Sequence, residues 1–317
     1  MSDFTVLISA PYIIPVIERF RPIFDKHNVD LILAKVQERL TEDDLMSYAG
    51  TYDGTACGDD TYTSRVLEAN AHRLKVISKW GTGIDSIDQE AATRLDIQVR
   101  NTSNAFTLPV ADTVLGYMLA FARRQPWMDR AMKAGNWQKI PGRSLSECTL
   151  GVVGIGNIGK AVIERARAFG MKLLGNDIIE IDPIFVAENR VKMTTLEDLL
   201  AQADFVSLNC DLNPTSYHLI DSRTLSMMKP TAVLINTARG SVVHEPALVE
   251  ALSGGAIAGA ALDVYEQEPL PENSPLLAMD NVMLAAHNAN SSPTAWENVH
   301  KNTINNLLDG LGIKYSL

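Results

Sequence analysis

Cysteine is scarce in this chain: Cys57, Cys148 and Cys210 are the three in 317 residues, and no two of them share a paired spacing. That scarcity excludes a disulfide framework, gives no metal-ligand pattern, and suits a reducing cytoplasm. An apolar run long enough to span a bilayer is also missing. The opening Met1-Ser-Asp-Phe-Thr-Val-Leu-Ile-Ser reads directly as a first strand, so no secretory leader is expected. Basic residues are outnumbered, 28 against 38 acidic ones, for a formal net charge of −10. Such a balance argues against nucleic acid or an anionic membrane as partner. Internal low-complexity linkers and short-period repeats are absent too. What remains, 46% hydrophobic and 21% charged residues, describes a globular protein whose length suits two domains better than one core.

Short apolar runs alternate with helical periodicity along the first hundred residues. The runs predict strands at Thr5–Ile8, Val29–Leu33, Gly54–Cys57, Leu74–Ser78 and Ile97–Val99. Amphipathic stretches fall between them, near Ile14–His27, Thr41–Tyr48, Thr63–Ala71 and Ile87–Leu95. Strands alternating with helices imply a parallel sheet covered on both faces. A long apolar helix is predicted over Val110–Arg124, with Pro109 suited to its first turn, and Pro126 restarts the chain before Trp127–Ala134. A second β/α series follows, with strands at Thr149–Val153, Met171–Leu174, Phe205–Leu208, Ala232–Ile235, Ala258–Leu262 and Val282–Leu284. The last helix, Ala295–Leu311, could return to the first domain.

Chemistry concentrates at Gly151-Val-Val-Gly-Ile-Gly-Asn-Ile-Gly-Lys160. Here Gly154, Gly156 and Gly159 form G-x-G-x-x-G between a β-branched strand and a helix with apolar spacing at Ile158, Val162, Ala166 and Phe169. In that setting the first glycine permits a tight turn, the second lets a pyrophosphate approach the backbone, and the third lets helix and strand pack closely. Asn157 and Ile158 open the helix, whose N-terminus favours phosphate. Asp177 follows the first glycine by 23 positions, where an acid accepts hydrogen bonds from an adenosine ribose. No arginine comes directly after it, so NAD is expected rather than NADP. Taken alone, the pattern also fits a tight turn that binds nothing.

Two further residues lie just beyond apolar strands, where ligand crevices of open α/β sheets form. Arg239, in Asn236-Thr-Ala-Arg-Gly, carries a planar guanidinium able to hold a 2-keto acid and polarise its carbonyl. His287 follows Val282-Met-Leu-Ala-Ala and can pass one proton near neutral pH. The plainer readings are a surface arginine and a satisfied structural histidine. A Gly81-Thr82-Gly83 turn after another strand could present backbone N–H groups to a carboxylate, or could be a turn only.

Taken together, these motifs resemble the D-isomer-specific 2-hydroxyacid dehydrogenases, in particular the phosphoglycerate dehydrogenase-like members. Lys79-Trp-Gly-Thr-Gly-Ile-Asp-Ser-Ile-Asp88 is similar to the substrate loop of that family, and Pro109-Val-Ala-Asp112 stands for its V-A-E with Asp in place of Glu. Met228–Gly240 and Gly259–Pro269 are similar to two long signatures, and His287 falls on the catalytic histidine. The resemblance implies two doubly wound parallel-sheet domains. A flavodoxin-like substrate domain would comprise residues 1–100 plus 289–317, a Rossmann NAD domain residues 101–288, with the catalytic cleft between them. It further implies Arg239, Glu268 and His287 as the catalytic group. Glu268 is chosen over Glu266 because it directly precedes Pro269, and as a carboxylate it would favour an imidazolium and fix its tautomer. Lys79, Gly81, Thr82 and Gly83 would bind substrate. Gly154, Gly156, Asn157, Ile158, Gly159, Asp177, Thr237, Ala238 and Asp263 would bind NAD, Asp263 on its nicotinamide side.

The implied reaction interconverts a D-2-hydroxy acid and its 2-keto acid by hydride transfer, with a phosphoglycerate, glycerate or glyoxylate type of substrate. The competing reading is an NAD(H)-sensing scaffold like the corepressors built on this fold. Departures from the family bear on substrate. Lys79 replaces an arginine common in phosphoglycerate-type members, and Gly58-Asp-Asp60 adds negative charge that disfavours phosphate if it faces the cleft. Trp80 could narrow the pocket, Asp211 replaces a common proline, and Asn288-Ala-Asn-Ser-Ser-Pro293 is unusually polar. A homodimer is expected around the Val110–Arg124 helix and the segment after Pro126, because Val110, Val114, Leu115, Met118, Leu119 and Phe121 exceed one core-facing stripe; the plainer reading is a helix fully buried inside its own domain.

Overall fold

Alternating β-branched runs and capped helices are what the chain builds, and the computed structural model describes residues 3–315 of it. The order begins β1 (Phe4–Ile8), α1 (Arg21–Lys26), β2 (Val29–Leu33), α2 (Glu42–Ser47), β3 (Gly54–Cys57), α3 (Ser64–Asn70), β4 (Val76–Lys79), α4 (Gln89–Arg94) and β5 (Gln98–Arg100). It continues through α5 (Thr107–Ala122), α6 (Gln125–Lys133), β6 (Thr149–Val153), α7 (Asn157–Ala168), β7 (Lys172–Asn176), α8 (Pro183–Asn189), β8 (Val191–Met193) and α9 (Leu196–Gln202). It ends with β9 (Phe205–Leu208), α10 (Ser222–Met227), β10 (Val233–Asn236), α11 (Glu245–Ser253), β11 (Gly259–Leu262), β12 (Val282–Leu284) and α12 (Pro293–Gly310). Helix starts are set by side chains that accept backbone N–H groups: Thr41, Thr63, Asp88, Thr195, Asp221 and Ser292 all cap.

The chain divides into two compact units, one holding everything up to Phe106 together with the chain from Ser292 on, the other Thr107–Ser291. In the first, five parallel strands run β2-β1-β3-β4-β5, the flavodoxin-like order. Leu7, Leu45, Leu67, Tyr62 and Ile77 fill its core, each fully buried. The closing helix α12 lies on this sheet: a Cβ on Gly310 would come within 2.4 Å of Val76, and Ser78 Oγ donates to Thr303 O at 2.7 Å.

The second unit has seven parallel strands in the order β12-β11-β10-β9-β6-β7-β8. Counted from β6 this is the Rossmann order with one further strand, and its direction reverses between β6 and β9. One core packs α5 and α7 against the sheet through Val114, Met118, Leu150 and Val162. The other packs α9, α10 and α11 through Leu199, Leu225 and Leu248. Burying a leucine or valine of this kind contributes roughly 1.5–3 kcal/mol.

Several expectations shift. The spacing over Ile14–His27 predicts one amphipathic element, but Pro15 and Pro22 split it into a 3-10 turn, Ile14–Arg19, and α1. Helix α5 starts at Thr107 and ends at Ala122, and Arg124 stands at a positive φ of 56° before α6. Strand β8 was hidden, because its three residues are too few to show a period. The apolar residues of α5 counted as surplus are mostly covered in the single chain: Val110, Val114, Leu115, Met118 and Phe121 are all buried, and Leu119 is half-buried.

Candidate active site

The glycine loop lies at the reversal point of the seven-stranded sheet, between the ends of β6 and β9. Gly154 has a φ of +85°, and a Cβ there would meet Cys210 N at 2.6 Å, so only glycine lets the two strand ends come together. At Gly159 a Cβ would strike Gly154 O at 2.1 Å, which fixes how closely α7 approaches the turn. Gly156 differs, since a Cβ there meets nothing within 4 Å. Packing inside the protein therefore does not demand that glycine, whereas a phosphate group lying over the backbone would. Gly156 also caps α7 without a side chain, and Asn157 and Ile158 form the helix's first turn. Asp177, at the end of β7, accepts from Ile155 N at 2.6 Å and Ile179 N at 3.1 Å, tying the glycine loop to its own position. Across the sheet, Thr237 Oγ1 is buried without a partner. An open glycine cradle, an adjoining carboxylate and an orphaned hydroxyl fit a dinucleotide.

Beyond β10 and β11 the polar residues converge. Asn236, absent from the expected site, is 1% exposed and closes the turn that carries Arg239. Its Oδ1 accepts from Ala238 N at 3.1 Å and its Nδ2 donates to Arg239 O at 2.9 Å. Sequence held the signal, an Asn two residues ahead of the backbone it bonds. Arg239 Nη1 donates to Ala238 O at 2.9 Å. Gly240 then presses on the next loop, for a Cβ would fall 1.9 Å from the carbonyl carbon of Tyr265.

That loop carries Glu268. One of its oxygens, Oε1, accepts from Tyr265 N at 3.0 Å, and Oε2 lies 3.1 Å from His287 Nδ1. The carboxylate and imidazole side chains are 18% and 24% exposed. His287 adopts φ +48°, a left-handed conformation that disfavours any residue with a Cβ. Its backbone is pinned there, His287 N donating to Asp263 O at 2.8 Å. Asp263 is itself buried, and its carboxylate accepts from Asn288 N at 2.7 Å and Ala289 N at 3.0 Å, so it shapes the loop after β12. Burial raises the pKa of that carboxyl, against the pull of the Ala289 and Asn288 N–H groups. Glu266, the rejected alternative, faces His218 instead, at 2.5 Å.

The residues expected to bind substrate lie in the first unit. Gly81 has φ +122°, and its carbonyl accepts from Thr102 N at 2.8 Å. Thr82 Oγ1 donates to Thr102 O at 3.0 Å, so the turn through Gly83 is braced against the chain after β5. Lys79 is nearly buried, its side chain 4% exposed, and its ammonium lies 2.9 Å from Asp59 Oδ1. Asp60 turns inward, accepting from Ser9 Oγ and from Leu40 N, and burial pushes its pKa up to about 6. The two acids of Gly58-Asp-Asp60 are thus spent on Lys79 and on the core. Trp80 is a core residue, not a pocket wall: its ring contacts Tyr12, Phe106 and Trp296, and Nε1 donates to His300 Nδ1 at 3.0 Å.

Residues 115–289 match the family described as "D-isomer specific 2-hydroxyacid dehydrogenase, NAD binding domain". The chain is 42% identical over 239 residues to a glyoxylate reductase of Korarchaeum cryptofilum, covering 74% of this chain and 71% of that one. It is 39% identical over 265 residues to a D-3-phosphoglycerate dehydrogenase of Methanocaldococcus jannaschii, covering 82% of this chain and about half, 50%, of that one. Among solved structures, a glyoxylate reductase from Paecilomyes thermophila superposes with a TM-score of 0.84 at 28% identity, over 100% of this chain and 98% of that one. The chain belongs to the D-isomer-specific 2-hydroxyacid dehydrogenase family. It is an NAD-dependent oxidoreductase acting on the CH–OH group of a 2-hydroxy acid, and the NAD(H)-sensing scaffold is not favoured. No helix among the described residues is long and apolar enough to cross a membrane.

Proposed function

We propose that the chain reduces a small, unphosphorylated 2-keto acid to its D-2-hydroxy acid, with NADH preferred over NADPH. The observation that carries this reading is the Glu268–His287 pair, 3.1 Å apart in a unit that also presents an open glycine cradle. The bound cofactor supplies the hydride that goes to substrate C2. His287 gives the proton to the carbonyl oxygen; its Nδ1 is committed to Glu268, so the transfer falls to Nε2. Glu268 stabilises the imidazolium before the transfer and fixes the ring afterwards. Arg239 polarises the carbonyl, and the Gly81-Thr82-Gly83 turn receives the carboxylate through backbone N–H groups. Gly154, Gly156, Asn157, Ile158 and Gly159 receive the pyrophosphate, Asp177 the adenosine ribose, and Thr237, Ala238 and Asp263 the nicotinamide half. The first compact unit then serves substrate and the second NAD.

The substrate reading is supported by Lys79. Its ammonium already faces Asp59 at 2.9 Å, which takes up the charge a phosphate would need. We also read the chain as a homodimer acting in the cytoplasm without nucleic-acid or membrane partners. Support comes from its acidity and three free cysteines, and from the exposed apolar side chains Leu108, Met132 and Trp137, 60%, 45% and 88% exposed. Purified protein should oxidise NADH with glyoxylate or longer unphosphorylated 2-keto acids. Failure across a panel of such acids, with NADH binding intact, would remove the proposal.

A further inference from the structure

His218 makes two connections that neither its sequence setting nor the proposed reaction requires. Its backbone N–H donates to Ser241 O at 2.8 Å, two residues beyond Arg239, and Ile220 N donates to Val242 O at 3.1 Å beside it. Its ring reaches the other way: Nε2 lies 2.5 Å from Glu266 Oε1, two residues before Glu268. The ring is held in place by Tyr217, stacked at 4.0 Å, and by His244, edge-on at 4.8 Å. Glu266 is anchored in turn, its N–H donating to Glu245 Oε2 at 3.3 Å. The backbone of His218 stands at φ +49°, a conformation a non-glycine residue keeps only where its surroundings impose it.

We propose that His218 is a positioning residue, clamping the Arg239 turn to the Glu268 loop so that both are presented to the substrate in one fixed arrangement. The inference rests on the reading of Arg239, Glu268 and His287 given above. Three contacts join the two segments here: the His218 N–H to Ser241, the His218 ring to Glu266, and the close backbone approach at Gly240. Of these only the ring pair can be removed without disturbing the backbone. That pair is part-exposed, its side chains 27% and 28% accessible, so breaking it has little effect on folding. The Glu268 carboxylate, by contrast, depends on its loop: Oε1 is held by Tyr265 N, the residue next to Glu266. A shift there moves Oε2 away from His287.

The test uses the full chain with NADH and its best keto acid. His218→Phe keeps a ring against Tyr217 but has no donor, Glu266→Ala removes the other partner, and His218→Gln restores an amide N–H near the position of Nε2. The two disrupting variants should lose about ten- to a hundredfold in kcat, the scale of an ångström-sized misplacement. Their NADH affinity should stay within about twofold and the glutamine variant should recover most of the rate, a split that loss of cofactor binding would not produce. In an E268Q background, His218→Phe should cost clearly less than it does in the native background, since part of its effect runs through Glu268. A phenylalanine variant at native kcat beside a slow E268Q would overturn the inference, as would a loss that adds in full to that of E268Q. An E268Q enzyme at native rate would overturn the reading of Glu268 and this inference with it.

Discussion

Glu268 and His287 are 19 residues apart in sequence, yet Oε2 of the first lies 3.1 Å from Nδ1 of the second. The meeting follows from topology. Strands β11 and β12 are parallel neighbours, so the loops leaving their C-terminal ends rise side by side. Each partner is then fixed by backbone, Glu268 by Tyr265 N and His287 by Asp263 O. His287→Ala should therefore lower turnover about 10²–10⁴-fold, the range of general acid–base catalysis. Glu268→Gln should keep the geometry but withdraw the negative charge that favours the imidazolium, moving the basic limb of the kcat profile to lower pH. Steady-state kinetics across pH checks both, and a native rate in the alanine variant would end this assignment.

On the proposed reading, Asp177 should set the cofactor preference in two ways. Its carboxylate opposes a 2′-phosphate, and it also holds Ile155 N at 2.6 Å within the glycine loop. Asp177→Ala should weaken NADH binding by about tenfold, or ~1.4 kcal/mol, and narrow the preference over NADPH. Calorimetry with both cofactors decides it. Equal affinity of the native protein for the two would count against a role for this carboxylate.

Much of this site could be read before the fold was known, and the reasons for the remainder are local. The strand and turn around Gly154 are legible because three glycines spaced between an apolar strand and a helix form a local pattern, although the Cys210 contact that demands glycine at Gly154 is remote in sequence and Gly156 has no neighbour within 4 Å. Arg239 and His287 are legible as residues following apolar runs, since parallel strands of an α/β sheet end on one side. Asn236 is legible as an Asn two residues ahead of the backbone it bonds, whereas His218 is not, because its work consists of bonds to Ser241 and Glu266 that exist only once the loops meet. Burial of Trp80 and of Asp60 was equally hidden. Alternation marks β4 as a strand, but it cannot say that Tyr12, Phe106 and Trp296 close over the residue that follows. For α5 the apolar count was correct and its meaning different, because a helix lodged between sheet and neighbours is apolar on most sides.

Lys79 and Asp59 should decide how a phosphorylated substrate is treated. With its ammonium at 2.9 Å from Asp59, Lys79 offers no net charge to a phosphate. Asp59→Asn should raise kcat/KM for D-3-phosphoglycerate relative to an unphosphorylated hydroxy acid by about tenfold, equivalent to ~1.4 kcal/mol in the transition state. Competition kinetics with the two acids measure the ratio. Native enzyme that turns over both equally well would sink the argument.

Trp137 is 88% exposed in a stretch after α6 that offers it no neighbours to bury against, with Met132 exposed nearby. A second copy covering this surface is the expected arrangement. Light scattering at micromolar concentration should give twice the 34.7 kDa chain mass, and Trp137→Glu should shift it toward the single chain. A monomer mass for the native protein would exclude the dimer.

Asp60 makes a stability argument whose sign can be worked out. Burial raises its pKa from an ordinary 3.8 to about 6, against the Leu40 N–H and the Ser9 hydroxyl, which act to lower it. The folded protein thus binds this proton more tightly than the unfolded chain does. The stabilisation from Asp60 is complete below about pH 4 and is lost as pH rises through about 6. A shift of about two pKa units corresponds to roughly 3 kcal/mol. Asp60→Asn cannot ionise and, like the protonated carboxyl, offers one carbonyl acceptor and a donor, so it should be close to the native protein in stability at pH 4. From pH 4 to pH 7 the native protein should lose about 2 kcal/mol relative to the variant and become the less stable of the two. Urea unfolding of both proteins at half-unit pH steps measures the difference. A gap that stays constant across that range would mean Asp60 is ionised throughout, and the buried carboxyl would have to be satisfied as an anion.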